Sequence, residues 1–600
     1  MNNTEIQVAS LEWRSLRALR RISKGWKPEF PLNHEKIPKP DIYIDGKPVY
    51  ILGKGAQRER KKPLQLLNIE VAGYISEFLK TTFGPLGLDK IIIAQEGKSR
   101  IIYVSNDSEV IFRKTPFQHP IAQFLAGAAV AAQKEVGGGG ATSVILAGEI
   151  LKNCGTLIEK GIHPSIVQDG CIEAMNKVIE IIDKNAMPIT INDDKIISQI
   201  VKTSLTSGCL IEFGDLIADM ILKIIRYVNE PYLEDALLNI KIKKVEGGWI
   251  GDSRLVMGCA FYREPTHPDM PEKVVNAKIA ILKGGLKVSE RGRTRYFDHG
   301  TISETLHDYK EFRVEKKRIL KDVIEKVSSI GANVLFVEKG IDQDIMDYLA
   351  RMKLLTIRRF PPPELEEVAE ATGANIVSDV NILDTSDLGE AEIVELRRIA
   401  GEPWWFIEGC RNPRVVNILL RGANAQLLLE AETAIKNVFK IISVLWRDRR
   451  VVAGGGALEM EIARQLREYS KQTSGKKQLV INAVAEAFHS IPSALIQNAG
   501  LKPIDIVPNL RSMHAHGGVN IGFDVFKRTP CDMISSRILE PVQVKVQAVK
   551  TAFEAVYTIL RIDDFILCRR LPKPEADYKR RMEGTAPERV KKIKRDFGID

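Results

Sequence analysis

The chain has 600 residues, 44% hydrophobic and 27% charged, which excludes a wholly disordered or fibrous protein and leaves room for about three to five folding units. No 18 consecutive apolar residues occur, so no membrane-spanning helix is expected. Of the net charge of +10, residues 1–27 supply +4 and residues 569–600 supply +5, so the body is nearly neutral and gives no charge-based reason for a nucleic-acid partner. The opening MNNTEIQVAS lacks the basic-then-apolar layout of a secretory signal, which points to a cytoplasmic protein. Seven cysteines without a C-x-x-C read as reduced thiols and support no structural zinc.

Residues 1–45 read as a basic extension: an amphipathic stretch (Leu11 to Ile22) followed by a proline-spaced segment at 28–40. From 65 to 82 an apolar stripe (Leu67, Val71, Tyr74, Ile75, Phe78) predicts a helix that stops at Gly84-Pro85. Residues 91–94 and 100–104 predict a hairpin. Helices follow at 121–134, 142–160, 164–184, 194–206 and 212–228. Near 248 the texture changes. Strands at 278–282, 334–337, 355–358, 375–377 and 404–407 alternate with helices at 316–329, 343–352 and 364–371, which predicts an α/β insert within a mostly helical protein. After a run at 415–420 the chain turns helical again, with a regular apolar face at 549, 553, 556 and 560.

Two glycine runs open onto helices: Gly137-Gly138-Gly139-Gly140, and Gly454-Gly455-Gly456. Helix N-termini carry unpaired N–H groups, and glycine lets a phosphate approach the backbone. Alone, each is a weak signal, because a glycine-rich connection between helices is more often only a turn. Neither has the Walker A spacing, and no G-x-S-x-G or histidine-rich metal pattern occurs.

Read in order, the segments resemble a group II chaperonin subunit of the thermosome type, related to the eukaryotic cytosolic chaperonin. Thr82-Phe83-Gly84-Pro85-Leu86-Gly87-Leu88-Asp89-Lys90 is similar to the family's T-L-G-P-K/R-G-M-D-K, and Ser105-Asn106-Asp107 to its T-N-D-G. Val452-Ala453-Gly454-Gly455-Gly456-Ala457-Leu458-Glu459 is similar to P-G-G-G-A-x-E, and Asn498-Ala499-Gly500-Leu501 to N-A-G-L. Gly522-Phe523-Asp524-Val525-Phe526 resembles G-I-D-V-F, and Glu540-Pro541 with Arg561-Ile562-Asp563-Asp564 resembles E-P and R-I-D-D. These matches run from about 46 to 570.

The resemblance implies a multidomain α/β fold. A mostly helical equatorial domain would be 46–188 with 447–570, a small intermediate domain 189–247 with 409–446, and an inserted α/β apical domain 248–408 with a lid protrusion near 286–318. A charged tail would occupy 571–600. It further implies a double ring shared with paralogous chaperonin subunits, non-native protein as client, and ATP/ADP with Mg as cofactor. The nucleotide site implied is Thr82, Phe83, Gly84, Pro85, Gly137, Gly138, Gly139, Gly140, Ala141, Thr142, Gly455 and Asp524, the last resembling a ribose contact.

The chain departs from that pattern at the residues that carry chemistry. The phosphate loop of the family is Gly-Asp-Gly-Thr-Thr, and its metal-coordinating Asp falls on Gly138, its threonines on Gly140 and Ala141. The Asp that positions the attacking water falls on Asn437, and an amide neither takes a proton nor supplies charge. Two basic positions fall on Leu86 and Gly208, whereas Asp107 is retained. No metal site is assigned with these residues. The expectation is a nucleotide site kept in outline with hydrolysis absent or very slow. Two alternatives stay open: an ATP-hydrolysing subunit with a replacement carboxylate such as Glu135, and a ring scaffold that meets nucleic acid or acidic surfaces through its basic ends.

Overall fold

Helix starts are set by local chemistry. His119 and His163 each precede a proline at the first helical position, and each ring nitrogen accepts the N–H two residues on, at Ile121 and Ser165. Asp193 caps Asp194–Ser204 in the same way, and Asn424 caps Ala425–Arg447 by accepting from Leu427 N. The computed structural model describes residues 42–44, 47–49, 57–60, 62–96, 99–190, 193–205, 211–227, 240–286, 325–327, 329–378, 380–410 and 415–567. The chain divides into two compact units, 1–60 with 564–600, and 61–563. In the first, Ile42–Ile44 pairs antiparallel with Lys47–Val49, and Gln57–Arg60 with Asp564–Leu567.

In the second unit the helix expected over 65–82 spans Lys62–Lys80, and the hairpin pairs Lys90–Glu96 with Ser99–Ser105. Helices Pro120–Val136, Gly140–Glu159, Pro164–Lys184, Ala457–Gln472, Lys476–Phe488 and Val542–Leu560 pack around one apolar core, in which Leu125, Ile145, Leu151 and Phe488 are fully buried. The stretch Lys476–Asn498 is long and apolar enough to cross a membrane, with mean hydropathy 1.5, yet 67% of its most apolar window is buried inside the protein. A second core joins Asp194–Ser204, Gly214–Tyr227 and Ala425–Arg447. Beside it, strand Asn417–Gly422 lies parallel to Lys241–Glu246 and antiparallel to Arg254–Val256.

The expected α/β insert contains a seven-stranded sheet. Strands Val334–Val337, Leu355–Arg358 and Ile376–Val377 join Lys273–Leu282 in parallel pairing, with helices Gln343–Arg351 and Pro362–Thr372 between them in sequence. The sheet is not parallel throughout. Gly389–Ile399 pairs antiparallel with Lys273–Leu282 and with Glu402–Cys410, which in turn pairs with Gly258–Tyr262. Sequence periodicity did not mark Gly389–Ile399, Gly258–Tyr262, Lys241–Glu246 or Arg254–Val256. Beyond Leu286 the protrusion expected near 286–318 lies outside the described residues, as do residues 1–41, the tail 571–600 and Gly208. Among the described residues Cys154, Cys171, Cys259, Cys410 and Cys531 are free thiols.

One buried ion cluster gives the fold a pH dependence. Burial pushes the Glu461 carboxyl up, but His514 Nδ1 at 3.0 Å, Arg464 at 2.6 Å and Gln465 at 2.7 Å outweigh burial and hold it at about 2. An unfolded glutamate titrates near ~4.3. The depressed native value therefore contributes stability that is present above that pH and lost as pH falls towards 2. Glu461→Gln is expected to flatten the decline of thermal midpoint between about pH 5 and 3, read by scanning calorimetry. A slope equal to the parent's would show that the cluster is not linked to acid unfolding.

Candidate functional site

Four chain segments form much of the wall of a cavity of about 500 Å³. The first is the turn after Lys62–Lys80. Gly84 has φ +81°, and a Cβ there would sit 2.4 Å from Leu495 Cδ2, so glycine lets this turn lie against the helix Ser490–Asn498. Asn498 Nδ2 fastens it by donating to Lys80 O at 2.8 Å and Phe83 O at 2.7 Å. The Thr82 hydroxyl donates to Leu79 O at 2.8 Å.

The second segment is the first glycine run. Gly137, at φ +79°, ends Pro120–Val136, and a Cβ on it would meet Asn437 O at 2.4 Å. Gly139, at φ +78°, is the N-cap of the 20-residue helix Gly140–Glu159 and supplies no side-chain cap. That helix thus begins with N–H groups and a positive dipole end left to the cavity. A Cβ on Gly140 would fall 2.8 Å from Ser108 Oγ and 2.9 Å from Gln133 Oε1. Those two side chains already fill the space that a threonine at this position would need.

The third segment is the second glycine run. Gly455 (φ +60°) and Gly456 (φ +79°) approach Met533 and Pro492 so closely that a Cβ would stand 2.5 and 2.8 Å from their side chains. Phe523 N donates to Gly455 O at 2.9 Å, which ties this loop to the strand Ile521–Asp524. Asp524 is buried, accepts the N–H of Phe526 and of Lys527 at 3.0 Å each, and pairs with Lys527 Nζ at 3.3 Å.

The fourth is the helix Ala425–Arg447, which brings Asn437 to Asp107. Asp107 caps the helix Ser108–Lys114, and its Oδ1 accepts from Val110 N at 3.0 Å. Its Oδ2 accepts from Gln133 Nε2 at 2.6 Å and from Asn437 Nδ2 at 3.1 Å. Gln133 Oε1 in turn accepts from Ser108 Oγ at 2.7 Å. Burial pushes the Asp107 carboxyl above its ordinary range, against the lowering by the Val110 and Gln133 hydrogen bonds. Detaching either amide would leave a buried donor unpaired, at a cost of roughly 1–3 kcal/mol.

Every position singled out above as a site residue, from Thr82 to Asp524 and including Asp107, Gly138 and Asn437, lines this one cavity. Glu135 does not. It is exposed and outside the lining, so the structure does not bring that replacement carboxylate to the site. Leu86 also lies off the lining, packed on the cluster of Met460, Leu495 and Phe523. Sequence reasoning missed Gln133, Lys202, Lys527, Arg537 and Lys545, all of which line the cavity. Lys527, three residues after Asp524, and Arg537, three before Glu540, sit close enough to quoted motifs to have been suspected.

This cavity, with two uncapped helix starts and glycines where backbone must come close, has the makings of a phosphate site. Over residues 75–570 the sequence matches the model of the TCP-1/cpn60 chaperonin family. The chain belongs to that family. It is similar to a thermosome subunit of Pyrococcus horikoshii, 38% identical over 539 residues that cover 89% of this chain and 97% of that one. The thermosome subunit beta of Thermococcus kodakarensis is 39% identical over 88% of this chain and 96% of its own length. The thermosome subunit alpha of Archaeoglobus fulgidus is 36% identical over the same shares. The match is to group II chaperonins, as the motifs implied.

The magnesium that a chaperonin nucleotide would carry finds little to hold it here. Among the described residues lining the cavity the carboxylates are Asp107, Asp524 and Glu540. Asp107 is bound by two amides, Asp524 by two N–H groups and Lys527, and Glu540 by Lys545 at 2.9 Å. No group of three or more His, Cys, Asp or Glu gathers among the described residues. Magnesium is usually held by one or two carboxylates plus phosphate oxygens, and each of these three already serves N–H donors or a lysine.

Proposed function

We propose that this chaperonin serves as a largely structural subunit of a ring shared with paralogous subunits, contributing to the enclosure and binding of non-native protein while its own pocket turns over little or no ATP. The single observation behind the second half is the state of Asp107, three of whose roughly four lone-pair positions accept N–H groups, which leaves it little capacity for a metal ion or a water. Phosphoryl transfer rests on positioning and on neutralising the developing charge. With glycine at 138 and an amide at 437, neither of the family's acidic groups at those positions is present. Backbone N–H groups of the glycine runs remain, so binding of a nucleotide outlives hydrolysis in this reading. The domain division given above, and a cytoplasmic setting, belong to the same proposal.

Phosphate release from Mg-ATP by the purified chain tests it. The expected rate is at least about a hundredfold below that of a thermosome subunit assayed alongside, as loss of single groups of this kind already costs that much. A rate matching that subunit would overturn the reading. Native mass measurement of the assembly isolated from its own cells is expected to show other chaperonin subunits. A homogeneous ring would overturn the shared-ring part.

A further inference from the structure

We propose that the cavity takes a nucleoside triphosphate without a divalent cation, its phosphate charge met by Lys202, Lys527 and Arg537 and by the open start of the helix Gly140–Glu159. This rests on the nucleotide reading above and adds the charge chemistry of that site. The polar side chains of the lining are unevenly matched. Among the described residues of the lining, four cations, Lys202, Lys527, Arg537 and Lys545, face three carboxylates, and each of those carboxylates already has a partner.

Lys545 is spent on Glu459 and Glu540. Among the described residues Lys202 pairs only with Asp215, whose side chain is 85% exposed, and Lys527 is itself exposed where it pairs with Asp524. Arg537 makes no side-chain hydrogen bond or ion pair with any described residue, and its backbone is held at φ +57°, in the left-handed region. Weakly committed cations and an uncapped helix start are donors for phosphate oxygens. A metal ion would compete with donors already placed on all three carboxylates, whereas Lys202 and Arg537 can turn to a phosphate without uncovering a buried carboxylate.

Titration calorimetry of the full chain with ATP, once in excess Mg²⁺ and once in EDTA, tests the proposal. The expected result is a dissociation constant that changes less than threefold between the two buffers. Lys202→Ala and Arg537→Ala are each expected to weaken binding in EDTA by about tenfold, with thermal midpoints near the parent's because both side chains are at least partly exposed. Adenosine, which offers no phosphate, is expected to bind at least tenfold more weakly than ATP. Tenfold or greater loss in EDTA would overturn the metal-free proposal and leave the nucleotide reading standing. Binding in neither buffer would overturn both. Full affinity in the two alanine variants, or equal binding of adenosine, would overturn the part assigned to the cations.

Discussion

Lys545→Ala is expected to lower the stability of the helical core by about 3–5 kcal/mol, the usual cost of removing one partner from a buried ion cluster. Lys545 is among the most enclosed charges in the protein, with 7% of its side chain exposed, and Glu459 is at 3%. Its ammonium lies 2.8 Å from Glu459 Oε1 and 2.9 Å from Glu540 Oε2. Burial alone disfavours the charge, yet the two glutamates outweigh it and hold the ammonium well above the ordinary lysine range. Alanine would leave the buried Glu459 facing Glu540 with no cation between them, and Glu459 Oε2 is already without a hydrogen-bond partner.

Urea unfolding followed by circular dichroism should show a clear fall in midpoint. The double variant Lys545→Met with Glu459→Gln, which removes opposite charges together, is expected to recover part of the loss. A single alanine variant as stable as the parent would show that the Lys545 pairs with Glu459 and Glu540 do not hold the helical core together. The cluster also bears on the cavity, because it joins the second glycine run through Glu459 to the helix Val542–Leu560, whose Val544 stands over Gly138.

Local signals made the helices and the glycine loops legible in the sequence. Gly84-Pro85 ends its helix, and the runs at 137–140 and 454–456 mark helix starts because glycine's freedom at positive φ is written into the residue type. The antiparallel half of the inserted sheet was not legible for an opposite reason. Glu-Ala-Glu-Ile-Val-Glu-Leu-Arg-Arg, from 390 to 398, is rich in helix formers, yet it lies between two strands and takes their conformation. Arg397 pairs with Glu395 along its own strand and with Glu408 on the next, and Lys273 pairs with Glu395 from the other side, so charges that look like a solvated helix face are ion pairs within the sheet.

The site divides along the same line. Its backbone cradle could be read from glycines, but its side-chain wiring could not. Gln133 sits in an alanine-rich helix with no motif around it, and Asn437 reaches Asp107 across 330 residues of sequence. The motifs indicated that carboxylates were gone from 138 and 437. Only the packing reveals what took their place: an amide bound to Asp107, and Val544 and Ile441 around Gly138.

That packing changes what restoring the acids should do. Asn437→Asp alone would set a second carboxylate where the amide nitrogen now lies 3.1 Å from Asp107 Oδ2. Two carboxylates so close cannot both ionise unless a cation or a proton sits between them. The variant is expected to be less stable in EDTA, to regain stability with Mg²⁺, and to release little phosphate, since groups that act as a unit are not additive. Gly138→Asp meets a steric limit, because a Cβ there stands 3.3 Å from Val544 Cγ1 and 3.5 Å from Ile441 Cδ1. Its backbone is not in the left-handed region and Ile441 is at ordinary contact distance, so the obstacle is the close approach of Val544 rather than strain. The triple variant Gly138→Asp, Asn437→Asp, Val544→Ala clears that wall and supplies both acids. It is expected to release phosphate from Mg-ATP at least about a hundredfold faster than the parent chain. A folded triple variant that binds Mg-ATP and stays silent would place the missing step elsewhere, in the basic positions now held by Leu86 and Gly208, and would reduce the two lost carboxylates to a secondary cause.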